Sequence, residues 1–566
     1  MKRMLALSLL CLAASAAMAR SPKLAPDFDD PHAGPRVDVI VQFKTPLGPG
    51  QHALVQAKGG TLGKSLPLVR GASYSLAYAA LEALAADPDV AYISPDRPVT
   101  ANLDYATSAA QAGAAWASYG LDGTGIGVAV IDSGTVDIPD LRTNSYRAVY
   151  SESFVPNNYS AKDVYGHGTH VAGILAGNGK SSTGSGYTRT FKGMAPSVNL
   201  LNLRVLDDLG AGKESSVIAA IQRAVALKNT YNVRVINLSL GRPVRESFRT
   251  DPLCQAVEAA WKAGIVVVVA AGNEGRNNAM GTDGYGTIGS PGNDPFVITV
   301  GATKTLRTMG RSDDLAASYS SKGPTVIDHI VKPDLVAPGN RIVSSYKSGF
   351  TLSNLYPQNE VPLGYYRTGG SATSPSAYYF TLSGTSMSAP IVSGAIALML
   401  QKTPSLTPDQ VKGRLMKTAF KAFPAVSTTV DPVTSVVYTT HHDVFTIGSG
   451  YLDLAAALVS QDLLAGRALS PTAIYDPVAR VVHLASTEPV LSGGTATWSD
   501  TATWGDTATW GDTAIWGDTA IWGDTAIWGD ASSMGFTAIW GDTAIWGETN
   551  RGVTGESAIV TILGEN

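Results

Sequence analysis

Between Ala109 and Leu458 the chain repeats one pattern, short unbroken apolar runs alternating with helical stretches. Ile126–Ile131, Leu200–Val205, Val233–Leu238, Ile265–Ala270 and Phe296–Val300 are continuous rather than alternating. A strand that is apolar on both faces must be covered on both, and helices between such strands supply the cover. Ser215–Lys228, Asp251–Lys262 and Ser386–Gln401 read as those helices. The pattern predicts an α/β fold, a doubly wound parallel sheet with helices on both faces, over residues 105–460. Ligands of such sheets bind at the carboxyl ends of the strands.

Three motifs lie at strand ends or helix starts. Val128–Gly134 ends in Asp132, which leaves a buried strand for a glycine turn. Gly166–Gly173 is built of small residues and places His167 where a helix begins, a position that disfavours imidazolium. Leu382–Pro390 sets Ser386 at a strand-to-helix turn, where the hydroxyl is exposed and a backbone N–H can face an oxyanion. A lone turn Asp or helix-capping Ser is commonplace. Together the three supply nucleophile, base and orienter, in the chain order Asp, His, Ser, one of the recognised orders of the serine-hydrolase triad. His167 and His170 lack the His-Glu-x-x-His zinc signature.

A smaller unit precedes this region. Val37–Phe43, the stretches around Leu66–Val69 and Tyr74–Tyr78, and Val90–Ser94 read as strands, with helices at Gln51–Lys58 and Ala79–Ala86. The order β-α-β-β-α-β predicts a ferredoxin-like domain, marginal alone at this size. The start of the chain reads as a signal peptide over residues 1–19: Lys2 and Arg3, an apolar run too short to span a bilayer, then Ala17-Met18-Ala19. A linker is expected at 20–36. Removal of the signal leaves Cys254 as the one cysteine, so no intramolecular disulfide can form.

The motifs Val130–Gly134, His167–Gly173, Ala270–Gly275 and Gly384–Pro390 resemble those of the subtilisin-like serine proteases, the subtilases. The resemblance implies Asp132, His167 and Ser386 as the catalytic triad, with Asn273 donating its amide to an oxyanion. It makes Ser239, Leu240 and Gly241 a substrate-binding strand that pairs with an extended peptide, and sets Gly272 and Gly289 beside the first specificity pocket. It implies no cofactor for the chemistry. Asp140 matches a calcium-ligand position, but Asn178–Thr190 departs from the family's loop, so a structural calcium stays open. Residues 37–104 resemble the family's inhibitory propeptide, with self-cleavage expected near Val99–Tyr105.

After a second expected linker at 461–494, the hexapeptide Thr-Ala-Ile/Thr-Trp-Gly-Asp repeats over residues 495–548, followed by a C-terminal segment, 549–566. Eight of the ten tryptophans lie here, and Val481–Asn550 holds nine acids and no Lys or Arg. The net −4 is therefore a basic body with an acidic appendage, which argues against a nucleic-acid binder. An even period puts every Trp on one face of an extended strand, and Gly-Asp after each Trp is a turn signal. The tail therefore reads as short β hairpins, as a stacked solenoid or as a disordered low-complexity segment, with a surface or carbohydrate ligand as its expected partner. The expected partners are polypeptide substrates and the chain's own propeptide. No later apolar run is long enough for a transmembrane anchor. The reading is a secreted serine endopeptidase. The competing reading is a surface or binding protein whose protease acts only on itself.

Overall fold

The computed structural model describes residues 21–25, 28, 35–96, 98–101, 109–476 apart from 280, 307, 309, 310, 312, 372, 432, 433 and 465, then 481–485 and 565. The expected signal peptide and hexapeptide array lie outside the described residues, as does most of the C-terminal segment.

The small unit runs β1 (Arg36–Phe43), α1 (Pro49–Ala57), β2 (Thr61–Leu66), β3 (Gly71–Ala77), α2 (Leu81–Ala85) and β4 (Val90–Pro95). Its antiparallel sheet has the order β2-β3-β1-β4, the ferredoxin-like arrangement. Val39, Val41, Phe43, Val55, Tyr74, Leu76, Leu84 and Ile93 form the core. The strand expected at 66–69 lies at 61–66 instead. Pro67 has no N–H for a ladder, and residues 67–69 form a 3₁₀ turn. Residues 21–25 are not free linker. Ala25 N–H donates to Ile93 O at 2.9 Å, Ile93 N–H donates to Lys23 O at 2.8 Å, and Leu24, Ala25 and Phe28 are buried. Those apolar side chains are part of the small unit's core.

The body begins after β5 (Pro98–Ala101) and α3 (Ala112–Tyr119). Its strands are β6 (Gly127–Asp132), β7 (Ala148–Ser153), β8 (Asn199–Arg204), β9 (Ala211–Lys213), β10 (Val233–Leu238), β11 (Leu240–Gly241), β12 (Val266–Ala270), β13 (Ile298–Lys304), β14 (Leu315–Ala316) and β15 (Leu335–Pro338). The helices include α4 (His167–Ala176), α5 (Glu214–Ala226), α6 (Lys228–Tyr231), α7 (Pro252–Lys262), α8 (Thr351–Leu355) and α9 (Thr385–Lys402), with α10 (Pro408–Thr418), α11 (Val444–Ile447) and α12 (Leu454–Val459) after them. The main sheet is ordered β14-β13-β12-β10-β6-β8-β7, with β15 also on β13, and is parallel except at β14. Strands β6, β10 and β12 are buried throughout apart from Arg234, as their unbroken apolar runs require. The expected α/β sheet with helices is the observed fold.

Within the expected linker at 461–494, the described residues are partly folded onto the body. Thr472–Asp476 and Val481–Ala485 pair as an antiparallel hairpin. It is tied to the body by Val331 N–H to Pro471 O (2.8 Å) and Ala473 N–H to His329 O (2.8 Å). Leu464 and Ala468 are buried. Among the described residues no helix is long and apolar enough to cross a membrane.

Candidate active site

Asp132 is the last residue of β6, fully buried at the carboxyl edge of the sheet. Its Oδ1 accepts from the Ser133 N–H at 2.7 Å and from His167 Nδ1–H at 2.6 Å. Both side chains are fully buried, so the pair interacts in a low-dielectric setting. A carboxylate can only accept, which puts the proton on Nδ1 and leaves Nε2 as the basic nitrogen.

His167 opens α4, and the start of that helix is held by Asp163. Asp163 Oδ1 accepts from Gly166 N–H (2.8 Å) and Ser133 Oγ–H (3.0 Å), and Oδ2 accepts from Thr169 N–H (2.8 Å). Burial, with Asp132 close by, pushes Asp163 up to about 6, against the pull of these donors. Gly168 could not be another residue, because a Cβ there would lie 2.1 Å from Gly134 O. His170 faces away from this pair. Its Nε2 donates to Phe380 O at 3.1 Å, and burial beside His167 drives its pKa down to about 3.

Ser386 lies in the first turn of α9, after Gly384 at φ +153°. Its Oγ donates to Ser239 O at 3.2 Å, and the Ser239 hydroxyl donates to Ser386 O at 2.6 Å. Ser239 directly follows β10, whose Leu238 is in register with Ile131 of β6. The serine turn is thereby fixed beside Asp132. Asn237 braces this link, donating to Ser239 Oγ (3.0 Å) and accepting from Ser393 Oγ (2.8 Å) on α9.

Asn273 follows β12. Its Oδ1 accepts from the Thr385 N–H (2.9 Å) and the Thr385 hydroxyl (3.1 Å), while its buried Nδ2 has no partner among the described residues. A buried amide donor left unpaired is expensive unless it serves a ligand. Held by the residue before Ser386, it is suited to an oxyanion on a carbonyl that Ser386 attacks.

Leu240 and Gly241 form β11, and they pair antiparallel with β5 (Leu240 with Ala101, Gly241 with Thr100). The other edge of β5 pairs with β9. An extended segment thus lies between two strands of the body, one of them the expected substrate-binding strand. Gly272 and Gly289 are brought together by Gly289 N–H to Ala271 O at 3.1 Å. A Cβ on Gly272 would meet Ser321 Oγ at 2.7 Å, and one on Gly289 would meet Arg242 O at 3.0 Å.

Asp140 does not carry the surroundings of a calcium ligand. Its Oδ1 accepts from Ser181 N–H and its Oδ2 from the Tyr379 hydroxyl, each at 2.6 Å. The Arg147 guanidinium donates to Asp140 O at 3.1 Å. Calcium needs six to eight oxygen ligands, whereas this carboxylate is surrounded by donors and a cation. Among the described residues no group of three or more His, Cys, Asp or Glu is placed to hold a metal.

The motifs located Asp132, His167, Ser386 and Asn273 but not their supports. Asp163, Ser133, Asn237 and Thr385 were missed, although an Asp shortly before a helix start is itself a capping signal for Asp163.

Residues 123–450 match the model of the Subtilase family. The chain is 38% identical to serine protease AprX of Bacillus subtilis over 323 residues, 56% of this chain and 66% of AprX. It is 33% identical to subtilisin E of Bacillus subtilis over 389 residues, covering 67% of this chain and 84% of that protein. An alkaline protease of Shouchella clausii is 33% identical over 342 residues, 60% of this chain and 71% of the relative. The family match covers more than half of the chain and includes all four site motifs, so this chain belongs to the subtilase family and is a serine endopeptidase.

Proposed function

We propose that the chain is a secreted endopeptidase that cleaves polypeptides through an acyl-enzyme on Ser386 and is matured by removal of residues 37–104. The observation that carries this reading is the fully buried Asp132–His167 hydrogen bond, 2.6 Å long, at the sheet edge where Ser386 is tethered. With Nδ1–H committed to Asp132, His167 Nε2 takes the Ser386 proton as Oγ attacks the scissile carbonyl. It then delivers that proton to the leaving amine. Asp132 holds the imidazole tautomer and stabilises the imidazolium. Asn273 Nδ2 and the Ser386 N–H receive the developing oxyanion.

An extended substrate adds a strand between β9 and β11, so backbone is read before side chain. Strand β5, paired in that position and continuous with the small unit, supports the reading of residues 37–104 as an inhibitor in cis. The small unit is also braced on the body. Asp96 accepts from Ser215 N–H at 2.6 Å, Lys64 Nζ donates to Ser216 Oγ at 2.6 Å, and Leu68 N–H donates to Gln222 Oε1 at 3.2 Å.

The test compares the mature protein with Ser386→Ala on an unfolded casein-like substrate. Turnover abolished by the substitution, with accumulation of the unprocessed chain, is expected. Normal processing of Ser386→Ala would remove self-cleavage from the scheme. A wild type that processes itself once and then turns over nothing would favour the binding-protein reading.

A further inference from the structure

Glu565 lies beyond the repeat array in sequence, yet it is fully buried against the body. Four segments converge on it. Arg276 Nη2 donates to Glu565 Oε1 at 3.0 Å, and Lys304 Nζ lies 3.3 Å from Oε2. The Ser318 N–H donates to Oε1 at 2.8 Å, and the Ser318 hydroxyl donates to the same oxygen. Asn340 reads the backbone of Glu565, its Nδ2 donating to Glu565 O and its Oδ1 accepting from Glu565 N–H, both at 2.9 Å. Both cations at the carboxylate are themselves nearly buried, Arg276 at 7% and Lys304 at 2% side-chain exposure.

We infer that this cluster is a carboxylate-binding socket whose ligand is a glutamyl residue of the chain itself, Glu565. Charge supports the assignment. Arg276 also pairs with Asp431 at 2.6 Å, and Arg276 and Lys304 set two buried cations against the Glu565 carboxylate. Removing Glu565 withdraws the anion from these buried cations, which burial penalises heavily. The backbone contacts to Asn340 fix which residue enters, since they require the carboxylate and its own main chain together.

The socket has consequences for its neighbours. Arg276 is three residues past Asn273. Asn340 follows Gly339, whose carbonyl accepts from Gly384 N–H at 2.8 Å, just before Ser386. The occupied socket thus stands behind both turns that carry these groups. The strand ending at Ala485 and the residue Glu565 are both seated on the body, on either side of the array in sequence.

The test uses hydrogen exchange on the full chain carrying Ser386→Ala, so that self-proteolysis does not intervene. Glu565→Ala is expected to raise exchange of the Ser318 amide at least tenfold, while Glu565→Gln, which keeps an acceptor but not the charge, restores only a minor part of the protection. Millimolar N-acetylglutamate methylamide added to Glu565→Ala is expected to slow Ser318 exchange again, whereas the corresponding glutamine derivative does so far less. Unchanged Ser318 exchange in Glu565→Ala would overturn the proposal. So would rescue that is equal for the two additives, because a site indifferent to charge is not a carboxylate socket. If Glu565→Ala does not fold, Lys304→Met in the chain with native Glu565 gives the second reading, with faster exchange of the Glu565 amide expected and an unchanged rate counting against the socket.

Discussion

Asp96 reaches out of the small unit to cap a helix of the body, so changing it separates binding from folding. Helix α5 starts after Lys213, which offers no side-chain cap. The missing acceptor comes from Asp96, whose Oδ1 takes the Ser215 N–H at 2.6 Å and whose Oδ2 takes the Ser215 hydroxyl. Removing a helix cap costs about 0.5–2 kcal/mol, and loss of an anion at a helix N-terminus adds about 0.3–1 kcal/mol. Against this stands desolvation, since burial raises the Asp96 pKa. A net loss of about 1–2 kcal/mol corresponds to roughly 5–30-fold weaker association. Asp96→Ala in residues 21–101, added in trans to the mature enzyme, should raise the inhibition constant by that factor. Asp96→Asn should stay within about threefold of wild type, because Asn caps as well as Asp and carries no charge to desolvate. The raised pKa means that the complex holds a proton more tightly than the free partners. Inhibition by the wild-type segment should therefore weaken as pH rises through the bound-state value, and Asp96→Asn should lose that dependence. Equal inhibition constants for the Ala and Asn variants would refute the capping argument.

Three other outcomes follow from the site. Asn273→Ala should lower kcat by about 10²–10³ with little change in KM, a magnitude known from the corresponding donor of subtilisin itself; a drop below tenfold would leave Nδ2 without the assigned role. Tyr379→Phe removes a donor from the buried Asp140 carboxylate and should cost about 1–3 kcal/mol in urea unfolding of the Ser386→Ala chain; unchanged stability would mean that Tyr379 does not substitute for a cation there. His170, held down to about 3 by burial, is neutral when folded but titrates near 6.5 when unfolded. Its contribution is complete above about pH 6.5 and falls as pH drops toward 3, with a slope approaching 1.4 kcal/mol per pH unit. His170→Gln should flatten the acid limb of stability against pH, and an identical limb would count against this assignment.

The parallel sheet was legible because strands covered on both faces leave no polar alternation in the sequence. Val233–Leu238 was read to the residue, and the other four runs to within a few residues. Helix boundaries fell equally close, since Pro252 and the Gly384 turn mark their starts. What escaped was held by tertiary contact rather than by pattern. Strand β2, Thr61–Leu66, exposes most of its residues and contains a glycine and a lysine, so nothing in its composition signals a strand. Residues 21–25 and the 472–485 hairpin looked like linker because their few apolar side chains acquire meaning only against Ile93 or the 329–331 segment. The reacting groups were legible through their motifs. Their supports were less so: Asp163 carries a capping signal in its place before a helix start, whereas Asn237 and Thr385 act through tertiary geometry that no spacing along the chain encodes.

Asp96 and Glu565 both deliver a carboxylate from a flanking segment to a donor-rich place on the same body, but the physics of the two contacts differs. Asp96 rests on the neutral donors of Ser215, and burial raises its pKa, with Lys64 and Lys213 acting only from longer range. Its site is a helix N-terminus that water can solvate once the small unit leaves, so both sides survive separation. Glu565 sits against Arg276 and Lys304, which are themselves buried. Taking it away leaves positive charge with no water to receive it, and breaking one partner out of a buried ion pair costs about 3–5 kcal/mol. The first contact therefore suits a segment that must be released and the second a segment that must stay. On that physics the Asp96 contact fits the proposed release of the N-terminal unit, whereas the Glu565 contact holds that residue as part of the folded body.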